Sequence, residues 1–293
     1  MESFELAAIT DEVSDDLAEA LACLQSEHVR AVELRSLWGT NTADLTPQQV
    51  ERARVELREA DMRVVSVASP FLKCHAPGRA RAEATGDVFG ARAGTLEEHW
   101  EVLRRSLAMC VAFEAPILRC FSFWRLPQPR EAFPAVREVL RIAVDECRRA
   151  VVTLALENEP VCTIGTGAEM AALFADTAAL EGLTVLWDPG NAACLGEQPY
   201  PAGYAVLRAA GVPICHVHIK DLAHLADAAG KPVFVPVGEG TVDYVGQLRA
   251  LAADGYRGAL SLEPHLHQGP AGMRRCIAAL RRILTEVDQR CGL

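Results

Sequence analysis

Lysine is nearly missing from this chain: Lys73, Lys220 and Lys231 are the only three in 293 residues. Arginine carries almost all the positive charge, and 29 basic against 39 acidic residues leave a formal net charge of -10. No basic run interrupts that acidity, so nonspecific nucleic-acid binding and docking on anionic membranes lack electrostatic support. No apolar run approaches the ~20 residues that a membrane span needs. The opening Met1-Glu2-Ser3-Phe4-Glu5 has neither the basic segment nor the apolar core of a secretory signal. The ten cysteines include no Cys-x-x-Cys pair. Cys110, Cys120 and Cys215 sit in apolar patterns that suit small buried side chains, which argues against disulfides or a thiolate zinc site. These absences lead to the expectation of a soluble cytoplasmic protein whose partner is a small molecule. A homo-oligomer is left open.

Half of the residues are hydrophobic and 23% are charged, so disordered and collagen-like classes are excluded. Strand-like and helix-like segments alternate along the whole chain. Strands are expected at 4–10, 31–36, 64–69 and 117–121, and four more runs end at Glu157, Asp188, Lys220 and Glu263. Helices are expected at 14–28 with Ser14 as cap, at 46–61 with Thr46 capping and Pro47 in the first turn, and at 95–113 and 130–150. Four further helices are expected at 168–180, 200–210, 242–253 and 271–286. Eight strand-helix units imply a parallel sheet closed into a single-domain (β/α)8 TIM barrel over residues 1–293. No Gly-x-Gly-x-x-Gly follows the first strand, which speaks against a dinucleotide fold.

The last four strand-like runs carry the chemistry. Alternate residues of a strand face opposite sides. In these runs Leu154 with Leu156, Val185 with Trp187, Val217 with Ile219, and Leu260 with Leu262 form a bulky apolar face toward the helices. The opposite parity holds Glu157, Asp188, His216, His218 and Glu263, pointing into the barrel near the C-terminal strand ends, where such barrels keep their active sites. Three carboxylates and the His218 imidazole suit one divalent ion (Mn²⁺, Mg²⁺, Co²⁺ or Zn²⁺), with positions left open for water or substrate. Without a cation the three carboxylates would repel one another. A salt-bridged barrel floor involving Arg35 and Lys220 is the alternative.

Other residues take subordinate places. His216, one pleat deeper, supports the site or touches substrate. Lys220 reaches the rim, where it meets a substrate oxygen or pairs with Asp221. Glu33 and Arg35 share the inward parity of the second strand. His75, Phe123 and Trp124 follow strands three and four and are candidates for shaping the pocket. Gly238-Glu239-Gly240-Thr241 precedes a helix and is either a phosphate cradle or a plain turn. His265 and His267 are expected in solvent, and His28, His99 and His224 carry no signal.

Together with Ile9-Thr10-Asp11-Glu12, Glu157-Asn158-Glu159-Pro160, Trp187-Asp188-Pro189-Gly190-Asn191, His216-Val217-His218-Ile219-Lys220-Asp221, Gly238-Glu239-Gly240 and Leu262-Glu263-Pro264, the chain resembles the xylose isomerase-like TIM barrel family of sugar isomerases and epimerases. The resemblance covers nearly the whole chain. It implies that Glu157, Asp188, His218 and Glu263 hold the metal and that Glu157 and Glu263 also move protons. Many relatives carry histidine where this chain has Asn191, at a position that contacts substrate. The expected activity is metal-dependent isomerisation or epimerisation of a small ketose, ketose phosphate or related hydroxy-carbonyl compound in carbohydrate metabolism. An inosose-type dehydratase is the near alternative and a metal-dependent hydrolase or endonuclease a remote one. A binding protein on a degenerate barrel is a third.

Overall fold

The structure is a computed structural model that describes residues 4–78, 87–88, 94–175, 180–223, 227 and 231–291. Eight parallel strands close into a barrel: β1 (Glu5–Ile9), β2 (Ala31–Leu34), β3 (Arg63–Val67), β4 (Ile117–Cys120), β5 (Thr153–Glu157), β6 (Thr184–Trp187), β7 (Ile214–Ile219) and β8 (Ala259–Leu262). Spatial order follows chain order, and β1 pairs with both β2 and β8 to close the ring. The expected (β/α)8 TIM barrel is therefore the observed fold.

The two faces of each strand divide as the alternation requires. Leu154, Leu156, Val185, Trp187, Val217, Ile219, Leu260 and Leu262 join the large core between barrel and helices. Inside the barrel, Ala7, Ala31, Val65 and Ala259 form a separate small cluster. Small side chains suffice there because the strands converge on a narrow interior. The register between β2 and β3 shifts between Val32 and Glu33, an irregularity beside an inward carboxylate.

Local signals set the helices α1 (Leu17–Ser26), α2 (Pro47–Glu59), α3 (Leu96–Ala112), α4 (Phe133–Arg149), α5 (Gly167–Phe174), α6 (Pro189–Cys194), α7 (Tyr204–Ala209), α8 (Tyr244–Ala253) and α9 (Gly269–Cys291). In α4, Phe133, Val136, Leu140, Ala143, Val144 and Cys147 recur at three- and four-residue spacing and are buried against the barrel. Thr46, Thr95 and Thr166 each close a capping box with Gln49, Glu98 and Glu169.

Four details differ from expectation. The cap of α1 is Asp16, whose carboxylate accepts from Glu19 N at 3.0 Å, whereas Ser14 accepts from Asp16 N and donates to Glu19. The helix α6 follows directly after Asp188 and is too short to show a period. The 200–210 segment begins as a wide turn over Pro199–Gly203 before α7. Two short antiparallel pairs, Ser36–Leu37 with Thr40–Asn41 and Asp221–Leu222 with Phe234–Val235, lie outside the barrel. Parts of the 70–94 connection, the end of the 168–180 helix and His224 fall outside the described residues. No described helix is long and apolar enough to cross a membrane.

Candidate active site

The C-terminal ends of β5, β6, β7 and β8 converge at the barrel mouth. One donor atom from each of Glu157, Asp188, His218 and Glu263 lies within 4.8 Å of the others, and all four side chains are buried. His218 Nδ1 is 3.3 Å from Glu157 Oε1, 3.2 Å from Glu263 Oε2 and 3.9 Å from Asp188 Oδ2.

Each donor is fixed from behind. Asp188 caps α6 by accepting from Asn191 N at 2.9 Å through Oδ1, so Oδ2 is left facing the centre. Asn158 clamps the Asp188 backbone, accepting from its N and donating to its O, both at 2.8 Å. Glu157 receives Asn191 Nδ2 at 3.1 Å and lies 3.2 Å from Arg119 Nη1. Glu263 lies 2.7 Å from Arg35 Nη1 through Oε1 and 2.7 Å from Lys220 Nζ through Oε2. His218 Nε2 meets Glu33 Oε2 at 3.0 Å, and His216 Nε2 reaches the same oxygen at 2.9 Å. A carboxylate accepting from Nε2–H leaves the Nδ1 lone pair for the centre, the usual arrangement behind a metal-bound histidine.

The electrostatics follow from these pairs. Burial opposes charge on Glu157, but Arg119 and His218 outweigh it and lower its pKa. For Glu263, burial is overcome by Lys220, His265 and His218, which hold the carboxyl well below its usual range. Asp188 goes the other way, because burial outweighs the attraction of Lys220. Burial alone would lower the His218 pKa, yet Glu33, Glu157 and Glu263 drive it well above the ordinary value. At Nδ1 a proton and a metal ion are thus alternatives, and both answer the same surplus of negative charge. Among the described residues, Glu157 Oε2, Asp188 Oδ2, His218 Nδ1 and Glu263 Oε2 are buried without a properly aligned hydrogen bond, and their close contacts are the ion pairs with Arg119, with Lys220 and among themselves. Oxygen and imidazole donors left in that state, this close together, fit a divalent cation.

The sequence model of the xylose isomerase-like TIM barrels matches residues 24–283. The chain belongs to that family. Solved structures agree in fold at low identity. The chain is similar to a xylose isomerase-like TIM barrel protein from Mycobacterium smegmatis in complex with magnesium (17% identity, TM-score 0.68, covering 97% of this chain and 96% of that one). It is also similar to the probable 3-DHS dehydratase of petrobactin synthesis from Bacillus anthracis (15%, 0.71, 95% and 99%). A third is 3-keto-D-glucoside 4-epimerase from E. coli (15%, 0.68, 97% and 99%). No curated protein matches by sequence.

The mouth opens into a cavity of about 850 Å³, lined in part by Asn191, Lys220 and Arg35. Of the expected substrate contacts these three therefore reach the cavity. Arg35 does so while its other nitrogens pair with Asp11 at 2.8 Å and Glu12 at 2.7 Å. His216 does not: it lies beneath His218 against Glu33 and is not among the described residues lining the cavity. Trp124 packs on Phe121 and Cys162, and neither it, His75 nor Phe123 is among the described residues lining the cavity. Lys220 pairs with Asp188 at 3.0 Å and with Glu263, rather than with Asp221. The Asp221 side chain turns the other way and accepts from the amides of Leu222, Gly238, Gly240 and Val242. Those amides are therefore taken, and of the two readings of Gly238-Glu239-Gly240-Thr241 the structure shows the turn, filled by a carboxylate.

His265 is a further correction. It is half-buried, donates through Nδ1 to Glu12 at 2.8 Å and accepts from Lys220 at 3.3 Å, and lines the cavity, as does the exposed His267. Sequence reasoning missed Arg119, although its place between outward Leu118 and Cys120 gives it the same inward parity as Glu157. It also missed Lys73, which reaches the cavity from a loop, and Phe234, which reaches it from a two-residue strand too short to show an alternation.

Proposed function

We propose that this protein is a divalent-metal-dependent isomerase or epimerase of a small ketose or related hydroxy-carbonyl compound. The carrying observation is the convergence of Glu157, Asp188, His218 and Glu263, with four buried donor atoms that lack aligned hydrogen bonds, at the open end of the barrel. These four residues would hold the metal; bound there, it supplies Lewis acidity that makes the C–H beside a substrate carbonyl easier to ionise. Glu157 and Glu263 stand on strands separated by β6 and β7, so they approach a substrate carbon from different sides. One takes up the carbon-bound proton and the other returns it. Arg119 keeps Glu157 ionised and Lys220 with His265 keeps Glu263 ionised, as a base requires. Asn191, where many relatives have histidine, orients Glu157 and faces the cavity. Support also comes from family membership and from a neighbour named as an epimerase.

A lyase is the second reading, favoured by one observation: the Lys220 ammonium lies 2.7 Å from Glu263, where it could protonate a departing hydroxyl after the same proton removal. Solvent exchange separates these reactions. With Mn²⁺-loaded protein in D2O, ketoses and inososes are followed by NMR, and the carbon that takes up deuterium is the carbon attacked. Epimer formation, aldose formation and loss of water define the three outcomes. Glu157→Gln and Glu263→Gln should each abolish turnover. Full activity in both variants, or metal binding with no exchange from any compound, would remove the proton-transfer reading.

A further inference from the structure

The Lys220 ammonium stands on two of the oxygens that face the centre of the site. Its Nζ is 3.0 Å from Asp188 Oδ2 and 2.7 Å from Glu263 Oε2. The other oxygen of each carboxylate is held elsewhere: Asp188 Oδ1 accepts from Asn191 N at 2.9 Å, and Glu263 Oε1 lies 2.7 Å from Arg35 Nη1. Lys220 thus asks for the same two atoms that a divalent ion would need at the ends of β6 and β8.

Neighbouring elements fix this placement. The Tyr244 hydroxyl accepts from Lys220 N at 2.9 Å and donates to Lys220 O at 2.6 Å, which pins the backbone. Gly190 of α6 makes room for the stem, since a Cβ there would lie 2.5 Å from both the Lys220 Cγ and its carbonyl oxygen. A third contact of the ammonium, His265 Nε2 at 3.3 Å, belongs to a side chain that lines the cavity, as Lys220 itself does. The residue type fits as well. In a chain whose 29 basic residues include only three lysines, this position carries a compact point charge on a flexible four-carbon stem. An arginine here would lock its planar fork onto the carboxylates.

We propose that Lys220 competes with the metal for Asp188 Oδ2 and Glu263 Oε2: it holds the two carboxylates together as their counter-ion, yields them to a divalent ion, and so sets how tightly that ion is held. Like charges this close repel strongly in a buried site, so the ammonium withdraws along its stem toward His265 and the cavity. This rests on the four-donor metal reading and gives it a sign: the charge of Lys220 lowers metal affinity. A lysine that only braced the carboxylates would raise it.

The test titrates Mn²⁺ into the intact chain against a chromophoric chelator, for the parent, Lys220→Met and Lys220→Arg. Lys220→Met, which removes the charge at similar length, should bind Mn²⁺ at least about tenfold tighter. Lys220→Arg, which keeps the charge, should not. Equal or weaker binding by Lys220→Met overturns the inference, as does equal tightening by Lys220→Arg, and either result leaves the four-donor reading standing. A second measurement does not depend on either variant folding. With three lysines in the chain, lysine labelled with ¹³C at Cε gives three ε-methylene signals in the parent protein, assigned through Lys73→Arg and Lys231→Arg. The Lys220 signal should move in step with the first equivalent of diamagnetic Zn²⁺. A Lys220 signal that stays in place while Zn²⁺ binds would overturn the inference. Failure of the parent and both variants to bind either ion would remove the metal reading beneath it as well.

Discussion

Glu33 is the residue on which two imidazoles depend. Its Oε2 meets Nε2 of both His216 and His218, and burial of the carboxyl is outweighed by those two rings, so it stays ionised well below the usual range. The parity of β7 reveals the two histidines in the sequence, but their shared partner is 183 residues from His216 and invisible to any local pattern. If Glu33 fixes the ring that presents Nδ1, Glu33→Gln should weaken metal binding about 10- to 100-fold. His218→Ala, which deletes the donor itself, should cost more than His216→Ala. Competition with a chromophoric chelator measures all three. A larger loss in His216→Ala than in His218→Ala would place the metal on the other side of Glu33.

At the scale of the element, α3 shows how packing overrides composition. His99 is 2% exposed on the face of α3 that covers the barrel, and its Nδ1 accepts from Leu72 N at 3.0 Å. Burial pushes its pKa down to about 4, with only slight opposition from Glu98. The folded value lies below the unfolded one, so between them the unfolded chain binds the extra proton and stability rises with pH. The contribution is complete above the unfolded pKa near 6.5 and is lost as the pH falls toward about 4, roughly 3 kcal/mol in all. His99→Gln should flatten the acid limb of stability by that amount, read as the difference in urea midpoints between the two proteins across this range. Equal slopes in both would mean that His99 protonates freely when folded. Nothing in the sequence marks this histidine, because its helical position does not say how deeply the neighbouring loop covers it.

For the whole molecule, the closed barrel converts four separate strand ends into one site, so occupancy of that site is coupled to folding. The unfolded chain cannot hold Glu157, Asp188, His218 and Glu263 together, and a cation that binds only the folded form stabilises it. At a free concentration 100 times its dissociation constant, Mn²⁺ should add about 2.7 kcal/mol and raise Tm by roughly 4 °C for a chain of this length. Asp188→Asn should lose most of that increment while keeping its cap on α6 through the amide oxygen. Differential scanning calorimetry with and without metal measures both. An unchanged Tm in the parent protein would mean that the four donors hold no divalent ion.

The sequence by itself determined the order of strands and helices, which face of β5 to β8 is apolar, and that Glu157, Asp188, His218 and Glu263 point inward. These are consequences of a two-residue period and of capping chemistry, both local. Only the tertiary structure decided what stands behind each donor. It joined Arg35 just after β2 to Glu263 just after β8, Arg119 of β4 to Glu157 of β5, and Glu33 of β2 to the histidines of β7. It also turned Asp221 away from Lys220 and into the glycine turn, and brought His265 in from solvent to Glu12. Such pairings depend on the closure of the ring and on loop paths between distant segments, and no short-range pattern records them.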